Sequence, residues 1–239
     1  MCREKHKFFN LLKKIAKLFC PAHTVKGAEN VGTDMPSVFI CNHSGAYGPI
    51  VMELFFPYKF VPWVIYNITS GKYCREYLEK EFIKSELKIK EPFSKWLAAI
   101  IAPLCIRVMK AVGAIPVYRG KSRILSTFNM SVEALMQGYN IVIFPENKEV
   151  KFSKYINDFY KGFVHLARKL YLETGRPLRF YPVYVNPKIK AITIGKPVVY
   201  AHSNDFGMVK ENIVLYLRNT INEMAISQSA NYFTSCDKS

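Results

Sequence analysis

Short, β-prone apolar runs recur along this chain, separated by segments with helical periodicity. Ser37-Val38-Phe39-Ile40-Cys41, Ile141-Val142-Ile143-Phe144 and Phe180-Tyr181-Pro182-Val183-Tyr184-Val185 are the clearest of these runs. Strands are expected at 37–42, 60–65, 115–118, 140–144, 179–185 and 190–200, the last broken at Gly195-Lys196-Pro197. Helices are expected at 49–56, 72–88, 97–111, 123–138, 160–174 and 207–225. The alternation predicts an α/β fold, with a mainly parallel or mixed sheet flanked by helices. In open α/β sheets the functional site lies beyond the carboxyl ends of the strands. Asn42-His43 and Pro145-Glu146 both come directly after expected strands, which lets them share one cleft.

His43 is the first candidate for chemistry. A histidine at a strand end, in front of the Gly-containing turn Ser44-Gly45, is held by a rigid element yet open to a cleft, where a general base is useful. Alone, an Asn-His pair after a strand is compatible with a purely structural role. Three later segments add to it: Gly113-Ala114-Ile115-Pro116-Val117-Tyr118-Arg119, Ile141-Val142-Ile143-Phe144-Pro145-Glu146, and Phe180 to Val185.

In this order the four blocks resemble the glycerolipid acyltransferase family, which includes the 1-acylglycerol-3-phosphate acyltransferases. The family pattern runs N-H-x4-D, G-x-I-x-V-x-R, F-P-E-G-T-R and a hydrophobic strand around V-P-V. Phe159-Tyr160-Lys161-Gly162 is similar to the family's F-K-x-G, and Ile194-Gly195-Lys196-Pro197 to its I-G-x-P. The likeness covers residues 22 to 200. Two positions depart from it. The family's Asp falls at Gly48, and its G-T-R reads Asn147-Lys148-Glu149.

The resemblance implies acyl transfer from a thioester, acyl-CoA or acyl carrier protein, to a lysophospholipid or glycerolipid-type hydroxyl. It implies His43 as the base. It places Asn42, Ser44, Arg119, Glu146, Asn147 and Lys148 around the acceptor or substrate, with Arg119 near a phosphate. A histidine suits the task because its unperturbed pKa lies near ~6.5, and an Arg grips phosphate through parallel hydrogen bonds. Lys148 and Lys151 are cations able to compensate for the glutamate at 149. With Gly48 in place of the orienting Asp, either a backbone carbonyl or another acid orients His43, with Glu53 and Glu146 the nearest candidates, or the enzyme works slowly. The other reading is a catalytically silent, lipid-binding relative. No cofactor beyond the acyl thioester co-substrate is expected, and no metal. His165 is expected to face the core, and His6, His23 and His202 carry no recognisable partners.

The net charge of +16, from 34 basic against 18 acidic residues, calls for a polyanionic partner. The basic residues surround apolar stretches rather than filling a recognition helix, which suits a phospholipid surface and not nucleic acid. Residues 1–21 read as a basic amphipathic helix, with Phe8, Leu11, Leu12, Ile15, Leu18 and Phe19 at helical spacing and lysines mostly opposite. It serves either as an interfacial anchor, the preferred reading, or as a surface helix docked on the core. The nearly uncharged stretch Trp96 to Ile106 is too short to span a bilayer, which takes ~20 apolar residues. It is either a buried helix kinked at Pro103 or a shallow membrane-inserting one. A peripheral position on the cytoplasmic face of a membrane is therefore expected. Residues 22–226 form the acyltransferase-like domain, 67–95 an insertion within it, and 227–239 a polar, frayed tail. The six cysteines lack metal-type spacing and no secretory signal precedes them, in keeping with a reduced compartment.

Overall fold

The computed structural model describes residues 7–85, 87–118, 123–146 and 159–236. The chain divides into two compact units: Met1–Leu12 with Val61–Ser131, and Lys13–Phe60 with Val132–Ser239.

The second unit carries the mixed sheet that positions the site. Its strands are β1 (Thr24–Lys26), β2 (Val38–Cys41), β5 (Asn140–Ile143), β6 (Arg179–Asn186), β7 (Ala191–Ile194) and β8 (Val198–Val199). The order is β1-β7-β6-β2-β5, with β8 beside β6. β2 runs parallel to both of its neighbours, pairing Phe39 with Val142 and with Tyr181. β6 meets β7 and β8 antiparallel. The mixture arises because β6 turns directly into β7 through the short connection at residues 187–190, and a tight return between neighbouring strands can only be antiparallel.

Every residue of β2 is buried, as a central strand covered on both faces requires. Phe39 and Cys41 pack with Val51, Met52 and Phe56 from α2 (Tyr47–Phe55) and its end. The alternate residues Val38 and Ile40 point to the opposite face. Phe180, their neighbour on β6, meets Phe163 there edge to face at 5.6 Å. Phe163 precedes α6 (Val164–Thr174), and α7 (Phe206–Cys236) lies against β6. Helix α7 continues through most of 227–239, where the sequence alone reads as a frayed tail. Arg179, opening β6, grips Asp34 ahead of β2 through both terminal nitrogens, and this pair holds the Asp34 carboxyl below its ordinary range.

The first unit contains β3 (Phe60–Ile65) and β4 (Ile115–Val117), paired parallel with Trp63 opposite Ile115. Between them the chain forms α3 (Gly71–Tyr77), a π-helical turn at Leu78–Lys84 and α4 (Phe93–Ala111). The single helix expected at 72–88 is thus two kinds of helix in series. Cys74, Leu78 and Ala102 form the buried seam between α3 and α4, flanked by Ile68, Phe82 and Cys105. Burial there drives the Cys74 thiol up to about 12. In α5 (Ile124–Met136), Thr127 donates to the Pro116 carbonyl on β4, and Ser131 accepts the indole N–H of Trp63. The first helix, α1, is Lys7–Phe19; its Phe9 is buried with Ala111 and Val112.

Candidate active site

His43 stands one residue beyond Cys41-Asn42 at the carboxyl end of β2, in the turn that leads into α2. Three contacts fix that turn. Asn42 is buried, and its amide makes a two-way clamp on β6: Oδ1 accepts from the Val185 N–H (2.7 Å) and Nδ2 donates to the Val185 carbonyl (3.1 Å). The same Nδ2 donates to Ser44 Oγ at 2.9 Å. Ser44 has a φ of 46°, a left-handed conformation that a non-glycine residue adopts at a cost. The Asn42 bond and the adjoining Gly45, at φ 65°, let the chain reverse there and enter α2.

From the other neighbouring strand, Glu146 lies just past β5 and accepts the backbone N–H of His43 at 2.5 Å. Burial pushes the Glu146 carboxyl above the ordinary carboxylate range, partly opposed by that N–H. Phe144 meets the His43 imidazole at 5.4 Å and 67°, an edge-to-face arrangement. The His43 Nδ1 atom is itself buried.

Position 48 has a steric explanation. A Cβ built on Gly48 would overlap the carbonyl oxygen of His43 and lie 2.9 Å from that of Asn42. The Gly48 N–H donates to the same His43 carbonyl at 3.2 Å. The first turn of α2 therefore lies directly on the backbone of the Asn42-His43 segment, and only glycine fits. A side chain at 48 is excluded by backbone contact, so the imidazole cannot receive a carboxylate from there in this turn geometry. Glu53, one of the acids considered for that role, pairs with Lys13 at 2.9 Å. Glu146 touches the backbone of His43.

A further contact was not legible in the sequence. His23, ahead of β1, is buried; its Nδ1 lies 2.8 Å from the Pro21 carbonyl and its Nε2 2.6 Å from the Tyr47 hydroxyl. The carbonyl can only accept, so Nδ1 carries a proton, and in the neutral ring Nε2 accepts from Tyr47. The ring also stacks on Phe55 at 5.1 Å. Tyr47 opens α2, so this pair secures the helix that closes the His43 turn. His165 lies on the exposed face of α6 against Phe206, at 4.8 Å, and does not face the core. His202 stacks on Tyr171 at 4.9 Å.

The model of the acyltransferase family matches residues 95–187. That span holds the blocks at 113–119, 141–146 and 180–185 and begins after Asn42-His43. The crystal structure of the 1-acyl-sn-glycerophosphate (LPA) acyltransferase PlsC from Thermotoga maritima matches 96% of this chain and 85% of its own, with a TM-score of 0.55 at 14% identity. At that identity the likeness is one of fold. No curated protein matches the chain. The acyltransferase family model and the shared fold both agree with the resemblance that the four sequence blocks carry.

Within the glycerolipid acyltransferase pattern, the structure brings together Asn42, His43, Ser44 and Glu146 at the carboxyl ends of β2 and β5. Arg119, Asn147 and Lys148 lie outside the described residues. Among the described residues no group of His, Cys, Asp and Glu is placed to hold a metal ion.

Proposed function

We propose that this protein transfers a fatty acyl group from an acyl thioester, acyl-CoA or acyl carrier protein, to a hydroxyl of a lysophospholipid or related glycerolipid, with His43 as the general base. The observation that carries this reading is the immobilised turn at the end of β2. Asn42 ties it to β6 and Glu146 ties it to β5, in a chain whose fold matches an acyltransferase. Such a turn holds an imidazole in one place, which proton transfer demands.

Under this reading the acceptor hydroxyl gives its proton to His43 as its oxygen attacks the thioester carbonyl carbon. The tetrahedral intermediate collapses, the C–S bond breaks, and the imidazolium returns the proton to the departing thiolate. The products are an ester and a free thiol. Amides of the Ser44-Gly45 turn supply the donors such an oxyanion needs. Arg119, Lys148 and Asn147 serve the acceptor head group, and Glu146 contributes to the same pocket while bracing His43. The protein works at a phospholipid surface, held peripherally at the cytoplasmic face. The net charge of +16 and the exposed Leu11, Ile15, Leu18 and Phe19 on α1 support that placement. Among the described residues no helix is long and apolar enough to cross a membrane.

Thiol release from acyl-CoA in the presence of a panel of lysophospholipids tests the proposal. Acceptor-dependent release that disappears in His43→Ala supports it. Gly48 favours a second reading, since the turn leaves no room there for a carboxylate: a lipid-binding relative without catalysis. Vesicle binding with no thiol release from any donor and acceptor pair selects that reading.

A further inference from the structure

Helix α4 carries large apolar side chains on the face turned away from α3. Its fully buried residues are all small, Ser94, Ala98, Ala102 and Ala111, and Ile101, Cys105 and Ile106 pack half-buried against the seam with α3. Ala102 packs against Cys74 and Leu78, and the Cys74 thiol points to its carbonyl oxygen at 3.9 Å. Facing outward are Phe93, Trp96, Ile100 and Leu104, with 70%, 66%, 53% and 41% of their surface exposed. Spacings of three, four and four residues put these on one stripe about three turns long. A helix whose outer face meets only water places its large apolar residues inward and its small or polar ones outward. Here Ala102 makes the close helix contact with Ile101 and Ile106 beside it, and Phe93, Trp96, Ile100 and Leu104 are left as a continuous apolar surface of the kind that marks an interaction site.

Charge identifies the occupant. From residue 88 to 110 there are five basic residues and one acidic. The acidic one, Glu91, is held by Lys84 and Lys95 at 2.6 and 2.7 Å. Lys88 and Lys90 lie exposed before the stripe, and Arg107 and Lys110 lie exposed after it. An apolar stripe carrying an aromatic residue and bracketed by cations matches the boundary between acyl chains and phosphate groups. An apolar protein groove would satisfy the stripe but leave those cations without partners.

We propose that α4 is an interfacial helix that inserts the Phe93–Trp96–Ile100–Leu104 stripe into the surface of an anionic phospholipid bilayer. This rests on the reading that the protein works at a membrane, and it assigns part of that attachment to α4 in addition to α1.

Trp96 is one of only two tryptophans. The full-length protein is mixed with vesicles of phosphatidylcholine and phosphatidylglycerol, with and without brominated acyl chains, and with pure phosphatidylcholine as a control. Trp96 emission shifts to the blue and is quenched by the brominated chains, and Trp96→Phe removes the quenched component. The double variant Ile100→Glu/Leu104→Glu weakens partitioning by roughly tenfold, with circular dichroism and thermal unfolding unchanged. If that variant does not fold, quenching of Trp96 in the wild-type protein decides. Vesicle-bound protein with unquenched Trp96 overturns the proposal. So does wild-type binding by the α4 variant when Leu18→Asp/Phe19→Asp is released, and that result leaves the membrane reading standing. A wild-type protein that ignores anionic vesicles overturns both. A concentration-dependent dimer lost in the α4 variant, with vesicle binding intact, makes the stripe a contact between copies and overturns the proposal.

Discussion

Glu146 and His43 are joined through the backbone: the carboxylate just past β5 accepts the N–H of the histidine just past β2. They lie 103 residues apart in the chain and side by side only because β2 and β5 pair in parallel with Ile40 opposite Ile143. A carboxylate at this position locates the imidazole without touching it in that bond. Because burial raises the Glu146 pKa, the same group is a strained point in the folded state at neutral pH.

Neutralising that carboxylate should relieve the strain. Glu146→Gln keeps an oxygen to accept the His43 N–H and removes the buried charge. Below the ordinary carboxylate value of 4.5 both Glu146 and its variant are neutral, and the two proteins should unfold at similar temperatures. As pH rises through the raised folded-state pKa, the wild type loses the stability associated with the neutral form, so the variant should become the more stable. Tm measured from about pH 4 to about pH 8 checks the sign. Glu146→Ala, which strands the N–H, should instead lose about 1–3 kcal/mol.

Asn42 is expected to be structural in its first effect and functional in its second. Asn42→Ala removes the clamp on Val185 and the bond to Ser44 Oγ, leaving buried backbone groups of β6 without their partner. Urea unfolding should show a loss of about 1–3 kcal/mol. Transfer activity in the folded fraction should fall as well, because the turn carrying His43 loses its tie to the sheet.

His43→Ala should abolish acyl transfer with little change in stability. The side chain is only partly buried and ends a strand instead of filling the core. Continuous thiol detection alongside thermal unfolding separates the two effects. Transfer at the wild-type rate would remove His43 from the mechanism.

Restoring the family's acid at position 48 should harm the protein. The Cβ of Gly48→Asp would run into the carbonyl oxygens of His43 and Asn42. Even Gly48→Ala should cost about 1–3 kcal/mol through overpacking against backbone. Lower Tm and lower activity are expected for both variants. A stable, faster Gly48→Asp enzyme would show that the turn adopts a different conformation.

Leu18 and Phe19, at the end of α1, are among the most exposed large apolar side chains among the described residues. Leu18→Asp/Phe19→Asp should reduce cosedimentation with anionic vesicles by roughly tenfold and leave Tm unchanged. Equal binding by the variant would remove α1 from the membrane contact.

The alternating apolar runs determined the α/β class, the placement of the strands and the position of His43 and Glu146 at strand ends. These are local properties: a run such as Val38–Cys41 is β-prone in itself, and the residues after it necessarily lie beyond the carboxyl end of a strand. Tertiary structure decided what those residues touch. No spacing in the sequence links His23 to Tyr47, since their hydrogen bond depends on how the segment before β1 crosses α2. The role of Gly48 was equally hidden. As a letter in a motif it is a missing aspartate, and only the approach of α2 to the His43 carbonyl shows that any side chain is excluded. Helix α4 shows the same limit. Its composition allowed either burial or exposure, because both require an apolar helix. The choice was made by α3, whose Cys74 and Leu78 pack on the small residue Ala102 and leave Trp96 and Ile100 facing outward.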